Sequence, residues 1–269
     1  EQRAKNFSGQ LEEFGGDWER LVMWAIIQCT GGNFNKESFL RLANRINPMR
    51  FKKLVNQPLR LEAMMLGEAG IFRGKAKDGY HGSLVKEYKY LQHLYGLSDE
   101  KVLWTYGKIR PTGLPDRRIA ALTAVLCRKD HWLDWLIKLP TEKELQVGFL
   151  NPYWWSHYRL GKAFEGEKEK NIPGLARLWL INGLIPLSFF YGQKKGVNQI
   201  QDRALEHMHG LKAEENRIIR NFKKHNISCE DAADSQALIH LEKQYCREWR
   251  CLDCHWGATL LKNKDCVIE

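Results

Sequence analysis

Three cysteines near the end of the sequence are spaced like the ligands of a metal ion or an iron–sulfur cluster. Four residues separate Cys246 from Cys251 and two separate Cys251 from Cys254, a spacing that lets one compact loop direct three thiolates at a single centre. A tetrahedral zinc site or a four-iron cluster needs a fourth ligand. Cys266 is close in sequence and is our first choice for it. The other candidates are His255 and Cys229.

A helix must deliver these cysteines to their loop. Asp234 or Ser235 is a helix cap by residue type, and Leu238 and Leu241 lie on one face of the helix that follows and ends at Cys246. The alternative interpretation is reduced, unliganded thiols packed at that helix end, because Cys-x-x-Cys also arises by chance in a tail that contains cysteine. A redox dithiol is a minor third interpretation, since the strand-then-helix context of that chemistry is missing.

Two groups of cations are candidate contacts for the phosphates of a nucleic acid. One surrounds the turn at 110–115, where the first amides of a helix join the cations in holding a phosphate, and the other lies near 217–224. Either group is also compatible with an ordinary solvated helix face, the commoner fate of charge runs. The residues that we assign to nucleic-acid contact are Arg110, Arg117, Arg118, Arg220, Lys223 and Lys224.

The composition is that of a folded, basic protein. With 269 residues, 43% of them hydrophobic, 22 Gly and 8 Pro, the chain is neither collagen-like nor of low complexity nor disordered. Its 42 Lys and Arg against 32 Asp and Glu give a formal net charge of +10. A polyanionic partner is therefore favoured, and we expect a nucleic acid, with DNA preferred.

The sequence predicts a cytoplasmic location and no membrane contact. Four of the seven cysteines are dispersed, which suits a reducing compartment, and we recognise no export segment. The most apolar stretch, 175–192, contains Arg177, an Asn182-Gly183 break and Pro186, a combination that a bilayer span rarely tolerates. We expect a buried helical hairpin there.

Apolar residues recur at helical spacing along nearly the whole chain, which predicts an all-α fold. The breaks fall at Gly and Pro, as at Asn47-Pro48, Gln57-Pro58 and Gly113-Leu114-Pro115. They imply a compact bundle of roughly a dozen helices that ends in the cysteine-containing loop. We expect an N-terminal tail over 1–16 and one helical domain over 17–269, with a subdivision near 164–173 as the alternative.

The sequence identifies no catalytic constellation. Paired carboxylates with a chemical role, metal-binding histidines on one helix face, a nucleophile elbow and a phosphate-binding glycine loop are not recognised. Glu62 with Glu68 and Asp231 with Asp234 are close in sequence, but helical or capping roles explain them. Whether the protein is an enzyme therefore stays open at this point.

Several segments resemble a bacterial family known as domain of unknown function 2851. They are LEAMMLGEAG at 61–70, RPTGLPDRRIA at 110–120, YWWSHY at 153–158 and DSQAL at 234–238 with the cysteines that follow. The resemblance spans nearly the whole chain. It implies that this is the C-terminal helical part of a protein whose N-terminal part is similar to a restriction-nuclease core, and hence that a nuclease-like domain is a partner.

The cysteine segment also resembles the cluster loop of endonuclease III-like helix-hairpin-helix DNA glycosylases. That resemblance implies an iron–sulfur cluster rather than zinc. The first gap, between Cys246 and Cys251, is two residues shorter than in that group, and Leu260 stands where that group has its fourth cysteine. Asp116 and Arg117 replace the hairpin glycines, so we transfer no catalytic lysine or aspartate.

Three functional hypotheses follow. The first is a nucleic-acid-binding helical module, part of a DNA-processing protein, with a metal centre of zinc or iron–sulfur at Cys246, Cys251, Cys254 and Cys266. The second is a non-catalytic scaffold that docks a separate N-terminal catalytic domain. The third is a glycosylase-like base-excision enzyme, which requires a pocket with a buried carboxylate near the Pro115 turn.

Overall fold

Helices form nearly all of the regular structure in the computed structural model, which describes residues 2–97, 101–128, 131–165 and 169–262. The all-α prediction is therefore confirmed. The α-helices are α1 (Gln2–Glu13), α2 (Trp18–Cys29), α3 (Lys36–Arg45), α4 (Pro48–Leu54), α5 (Pro58–Glu68), α6 (Gly79–Tyr95), α7 (Pro115–Leu126), α8 (Asp134–Ile137), α9 (Glu142–Leu145), α10 (Leu175–Trp179), α11 (Ile185–Lys195), α12 (Asn198–Gly210), α13 (Arg217–Lys224), α14 (Ala232–Leu241) and α15 (His255–Lys262).

Four short helical turns and one β-hairpin complete the described structure. Pro111–Gly113 and Pro152–Trp155 are 3-10 turns, and Leu180–Leu184 and Glu242–Cys246 are π-turns. Strands β1 (His157–Arg159) and β2 (Lys162–Ala163) form an antiparallel hairpin, with His157 opposite Ala163.

The helix ends follow from local side-chain chemistry. Asp17, Asn47 and Asp78 each accept a hydrogen bond from a backbone N–H of the first turn of the helix that follows. Thr141 forms a reciprocal capping box at the start of α9. α6 ends at Gly96, which takes the left-handed conformation that a helix C-terminus often requires. Of the predicted breaks, Asn47-Pro48 coincides with such a cap, while Pro58 and Pro115 are the first residues of α5 and α7.

The chain divides into two compact units, Glu1–Gln201 and Asp202–Glu269. Within the first unit, α2 and α5 are buried on nearly all sides, at 21–27 and 61–68 respectively, as expected for helices that are apolar all round. α3 packs on α2, while α6 and α7 pack on α5. The expected alternative boundary near 164–173 lies inside this unit.

The segment that we expected to be a tail, 1–16, contains a helix. α1 packs against α2 and α11. The Phe7 side chain is only 3% exposed, and its ring centre lies 5.9 Å from that of Phe190. This apolar contact joins the N-terminal segment to the core of the first unit.

The apolar stretch that we expected to be a hairpin is one continuous helix. α10, the π-turn at Leu180–Leu184 and α11 follow one another without leaving helical geometry. Gly183 lies against α2, where a β-carbon would approach the Cys29 Sγ to 3.2 Å, so this glycine permits close packing rather than a break. Leu175–Lys195 is long and apolar enough to cross a membrane, but 67% of its apolar 18-residue stretch is buried inside the protein.

The second unit has a small core of its own. Ile219 of α13 packs with Cys229 and with Leu238 of α14. Asp231 caps α14 through the backbone N–H of Asp234 at 2.9 Å and pairs with the Nδ1 of His209 at 2.7 Å. Asp231 is therefore the cap of this helix, whereas Asp234 and Ser235, which we expected to cap it, lie within its first turn.

Candidate functional site

A cavity of about 200 Å³ opens in the first unit among three segments that are far apart in sequence. The loop after α5 contributes Arg73 and Lys77, and His81 from the first turn of α6 continues this wall. The segment that precedes α7 contributes Trp104, Tyr106 and, at the second position of α7, Asp116. Strand β1 and the following turn contribute Arg159 and Leu160.

Specific hydrogen bonds hold the segment at 101–110 beside the end of α5. The indole Nε1 of Trp104 donates to the Ala69 carbonyl at 2.7 Å. The Asn35 side chain bonds to both the N–H and the carbonyl of Thr105, at 2.8 and 3.1 Å. The Arg73 guanidinium also donates to the Val102 carbonyl. The wall that carries Tyr106 is thus fixed from two directions.

Asp116 is a buried carboxyl at the floor of the cavity. Asp116 is only 1% exposed. Its Oδ2 accepts a hydrogen bond from the Tyr106 hydroxyl at 2.7 Å, and its Oδ1 accepts one from the Leu160 N–H at 3.3 Å. Burial raises the pKa of Asp116 above its ordinary value, and these hydrogen bonds oppose that rise. Such a carboxyl is a stronger base than one in solvent.

Tyr106 is linked to a cation as well as to the carboxyl. The Arg159 guanidinium lies 3.9 Å from the centre of the Tyr106 ring. Burial, followed by the charge of Asp116, raises the pKa of Tyr106, whereas the charges of Arg159 and Arg73 lower it. The phenol therefore lies between a proton acceptor and two groups that stabilise its anion.

His81 fixes the backbone of Lys77 at the cavity wall. The His81 Nδ1 accepts a hydrogen bond from the Lys77 N–H at 3.2 Å, so Nε2 carries the ring proton of the neutral imidazole. His81 is 2% exposed, and its Nε2 has no hydrogen-bond partner among the described residues. Burial lowers the pKa of His81, which favours this neutral form.

Gly161 brings the hairpin turn close to Lys77. Its φ of +68° is a left-handed conformation, and a β-carbon at this position would collide with the Lys77 side chain. The Gly161 N–H donates to the Tyr153 hydroxyl at 2.7 Å, which in turn donates to Asp78 at 2.7 Å. The β1–β2 turn is thereby tied to the start of α6, beside the cavity.

Positive charge is concentrated in the unit that contains the cavity. The first unit has 31 Lys and Arg against 20 Asp and Glu, a formal net charge of +11, whereas the second unit has 11 against 12, a net charge of −1. The cations of the three lining segments and their immediate neighbours are Arg73, Lys75, Lys77, Lys101, Lys108, Arg110, Arg159 and Lys162. The field of the protein therefore attracts anions to the first unit.

Two of the three arginines in the first predicted cation group, near the turn at 110–115, form contacts inside the fold. Arg117 is 0% exposed and binds Glu169 through Nη1 at 2.5 Å. Its guanidinium lies 5.1 and 5.2 Å from the ring centres of Phe149 and Phe164. Arg118 donates to the carbonyls of Thr30, at 2.6 Å, and Thr112, at 3.3 Å. Arg110, by contrast, is exposed.

The second predicted cation group lies on the outer face of α13. Arg220, Lys223 and Lys224 are exposed, and Ile219 of the same helix is buried. This pattern is that of an amphipathic surface helix in a unit that carries almost no net charge. Nucleic-acid contact at these three residues stays a prediction.

The predicted metal ligands occupy one exposed loop. Cys246 and Cys251 are exposed, Cys254 is half-buried, and the Cys254 N–H donates to the Cys251 carbonyl at 3.3 Å. Within the described ranges, no three His, Cys, Asp or Glu side chains are grouped closely enough to hold a metal ion. The thiol of Cys229 lies in the small core, and Cys266 lies outside the described residues. The described thiols alone do not form a metal site.

Sequence reasoning missed the cavity because its parts come from distant segments and include no motif. The YWWSHY segment at 153–158, which carries part of the family resemblance, does not line the cavity: Trp154 is fully buried, and the ring centres of Tyr153 and His157 are stacked 3.8 Å apart. One signal was present: the Pro115 turn is followed at once by Asp116, a carboxyl in the first turn of a helix that is apolar from Ile119 to Leu126 except for Thr123. Such a residue is rarely buried without a partner or a function.

Comparison with known proteins gives one match. The family model described as protein of unknown function DUF2851 matches residues 1–217, which include every residue that lines the cavity and end before the cysteine loop. No curated protein and no solved structure matches the chain. The similarity of the cysteine segment to the endonuclease III-like glycosylases stays a prediction.

Proposed function

The chain belongs to the DUF2851 family, and from the geometry of the cavity we propose that it is a nucleic-acid-binding helical module of a DNA-processing protein. The observation that carries this proposal is the convergence of three cations on one cavity: Arg73 and Lys77 from the loop after α5, and Arg159 from β1. Cations that lie together in a concave site bind phosphate far better than scattered surface charges do.

The distribution of charge supports a phosphate-rich ligand over a single small anion. Beyond the three lining cations, Lys75, Lys101, Lys108, Arg110 and Lys162 lie on the same segments. We expect these cations to contact the phosphates on either side of one that binds in the cavity. Contacts of this kind supply most of the affinity for nucleic acid and release condensed counterions.

We expect the protein to bind fluorescent single-stranded and duplex DNA with an affinity that falls steeply as salt rises. Fluorescence anisotropy at a series of salt concentrations measures both the dissociation constant and the salt slope. Because Arg159 contributes one charge at the cavity, Arg159→Gln should weaken binding to all sequences and reduce the slope of log affinity against log salt by about 1.

Lys53→Gln is the matched control for this experiment. Lys53 is an exposed cation of α4 in the same unit and does not line the cavity. Its replacement removes the same charge from the unit and should change affinity less than Arg159→Gln does. An affinity that is flat between low and moderate salt, or equal losses in the two variants, contradicts the proposed site.

Base excision is the second candidate function, and one observation favours it. That reaction requires a buried carboxyl in a pocket near the Pro115 turn, and Asp116 has this location. Release of a free base from DNA by the purified protein, lost in Asp116→Asn, would support base excision over binding alone.

A metal centre at the cysteine tail is the part of the proposal that rests on sequence spacing. With Cys266 as the fourth ligand, Cys246, Cys251 and Cys254 would hold zinc or an iron–sulfur cluster. We expect anaerobically purified protein to contain zinc or iron by elemental analysis, and Cys251→Ser with Cys254→Ser to abolish it. If wild-type protein contains neither zinc nor iron, the proposed metal centre is contradicted. The proposal that the first unit binds DNA does not depend on that result.

A further inference from the structure

We propose that the cavity is a phosphodiester transesterification site in which Tyr106 is the nucleophile, an inference that rests on the proposed binding of nucleic acid. The observation behind it is a set of side chains that share one 200 Å³ cavity: a phenol that donates a hydrogen bond to a buried carboxyl, and cations that line the same cavity. The substrate class is a nucleic-acid strand, and the product is a strand joined covalently to the tyrosine.

The link between Tyr106 and Asp116 is that of a nucleophile with its base. The phenol donates its proton to Asp116 Oδ2 at 2.7 Å, within the reach that proton transfer requires. The Leu160 N–H holds the other carboxyl oxygen at 3.3 Å, which fixes the orientation of the base. A phenol with no such acceptor is a weak nucleophile near neutral pH, since its ordinary pKa is about 10.

The cations are placed to stabilise the negative charge that develops during such a reaction. Arg159 covers the Tyr106 ring at 3.9 Å and therefore stabilises the phenolate. Arg73 and Lys77 line the same cavity from the loop after α5. Phosphoryl transfer is catalysed chiefly by cations that hold the equatorial oxygens of the phosphorus, with little other chemistry needed from the protein.

The proposed reaction balances without a metal ion or a second substrate. The Tyr106 Oη attacks the phosphorus, a P–Oη bond forms, and the bond from phosphorus to one bridging sugar oxygen breaks. The phenol proton passes to Asp116, and the Lys77 ammonium donates a proton to the leaving oxygen. Attack of the sugar hydroxyl on the phosphorus breaks the P–Oη bond and reverses the reaction. Attack of water breaks the same bond and leaves a cleaved strand with a terminal phosphate.

Lys77 is a suitable donor because its backbone is fixed and its exposed side chain lines the cavity. His81 accepts the Lys77 N–H at 3.2 Å, and Gly161 allows the hairpin turn to pack against the lysine side chain. His81 is thus a positioning residue. An ammonium donates a proton to a leaving alkoxide, whereas a leaving thiolate, whose ordinary pKa is near 8.5, departs without one.

The test uses the full chain and DNA oligonucleotides in which sulfur replaces one bridging oxygen, on either side of the phosphorus, in single strands and duplexes. The thiolate that leaves does not readily return, so the covalent product accumulates. We expect a protein–DNA adduct that survives denaturing electrophoresis, and peptide mass spectrometry should place the nucleotide on Tyr106. This readout comes from the wild-type protein and needs no variant to fold.

Variants then separate the roles. Tyr106→Phe should form no adduct, while Tyr158→Phe, a half-buried tyrosine of β1 outside the cavity, should react like the wild type. Asp116→Asn should slow adduct formation by about a hundredfold or more. At saturating DNA, Lys77→Ala should slow cleavage of ordinary oxygen-linked DNA but not of the sulfur-linked DNA, a difference that a purely structural role would not produce.

Two failures are distinguishable. In the first, wild-type protein binds DNA with the expected salt dependence, but none of the oligonucleotides modifies Tyr106. This result overturns the inference and leaves the proposed function in place. Protein that does not bind DNA overturns the proposed function as well. An adduct on another residue, or one that persists in Tyr106→Phe while that variant keeps its DNA affinity, also overturns the inference.

Discussion

Arg117→Ala should lower the free energy of unfolding of the first unit by about 3 kcal/mol or more, because it removes a fully buried guanidinium from the core. The side chain binds both the carboxylate and the carbonyl of Glu169, at 2.5 and 3.2 Å, and packs between Phe149 and Phe164. Glu169 is partly exposed, so water replaces its lost partner. Most of the loss therefore comes from the cavity and the missing ring contacts.

Denaturant unfolding followed by fluorescence measures this effect. Arg117→Lys keeps the charge but loses the two-pronged hydrogen bonds, and Arg117→Met keeps much of the volume; both should fall between the wild type and Arg117→Ala. Arg110→Ala is the matched control, because Arg110 is exposed and should stay within about 0.5 kcal/mol of the wild type. Equal midpoints for Arg117→Ala and the wild type would show that the buried guanidinium stabilises nothing.

Glu62→Gln should stabilise the protein relative to the wild type, by an amount that grows between about pH 4.5 and pH 7. Glu62 of α5 is 1% exposed, and the Tyr80 hydroxyl donates to its Oε2. Burial raises its pKa to about 7, while Tyr80 and the Trp154 indole act to lower it. A buried carboxyl of this kind is stable when protonated and unfavourable when ionised.

The sign follows from proton binding. Between the unfolded and the folded pKa, the unfolded chain releases its proton while folded Glu62 keeps it, so stability falls as pH rises through this window. The contribution is fully present below the unfolded pKa and is lost once pH passes about 7. Above about pH 7, the shift in the pKa of Glu62 lowers the free energy of unfolding by about 3 kcal/mol. A neutral glutamine still accepts a hydrogen bond from Tyr80 and does not carry this penalty.

Chemical unfolding of both proteins from pH 4 to pH 8 gives the difference in stability at each pH. Comparison with the wild type cancels the other titrating groups. Glu37→Gln is the control, because this carboxyl of α3 is exposed, and its difference from the wild type should not vary with pH in this way. A pH-independent difference for Glu62→Gln would contradict an ionisable carboxyl that is destabilising when charged.

The sequence was sufficient for most of the helices because helix ends depend largely on local chemistry. Pro48 and Pro58 begin helices at the breaks that the sequence showed, and Asp78 caps α6 through neighbouring backbone groups. Apolar residues at helical spacing identified the helices whose faces form the core. In each case the interacting groups lie within a few residues of one another.

The sequence was insufficient where a side chain meets a distant partner. Arg117 looked like a phosphate contact because it follows a proline turn, and its burial depends on Glu169, 52 residues later. Asp116 meets Leu160, 44 residues later, and Tyr106 carries no motif that marks it. The predicted hairpin at 175–192 was wrong because the packing of Gly183 against α2, which the sequence does not show, outweighs its local tendency to break a helix.

The π-turn at Leu180–Leu184 gives one helix two differently directed faces. A π-turn accommodates an extra residue, which rotates everything after it by about 100° around the helix axis relative to a regular α-helix. α10 accordingly packs on α2 and α9, whereas α11 packs on α1 and α8. Removing a single residue from this turn would restore a regular α-helix and rotate Phe190 away from Phe7 and Trp18. The π-turn therefore determines which face of α11 packs against the N-terminal helices α1 and α2.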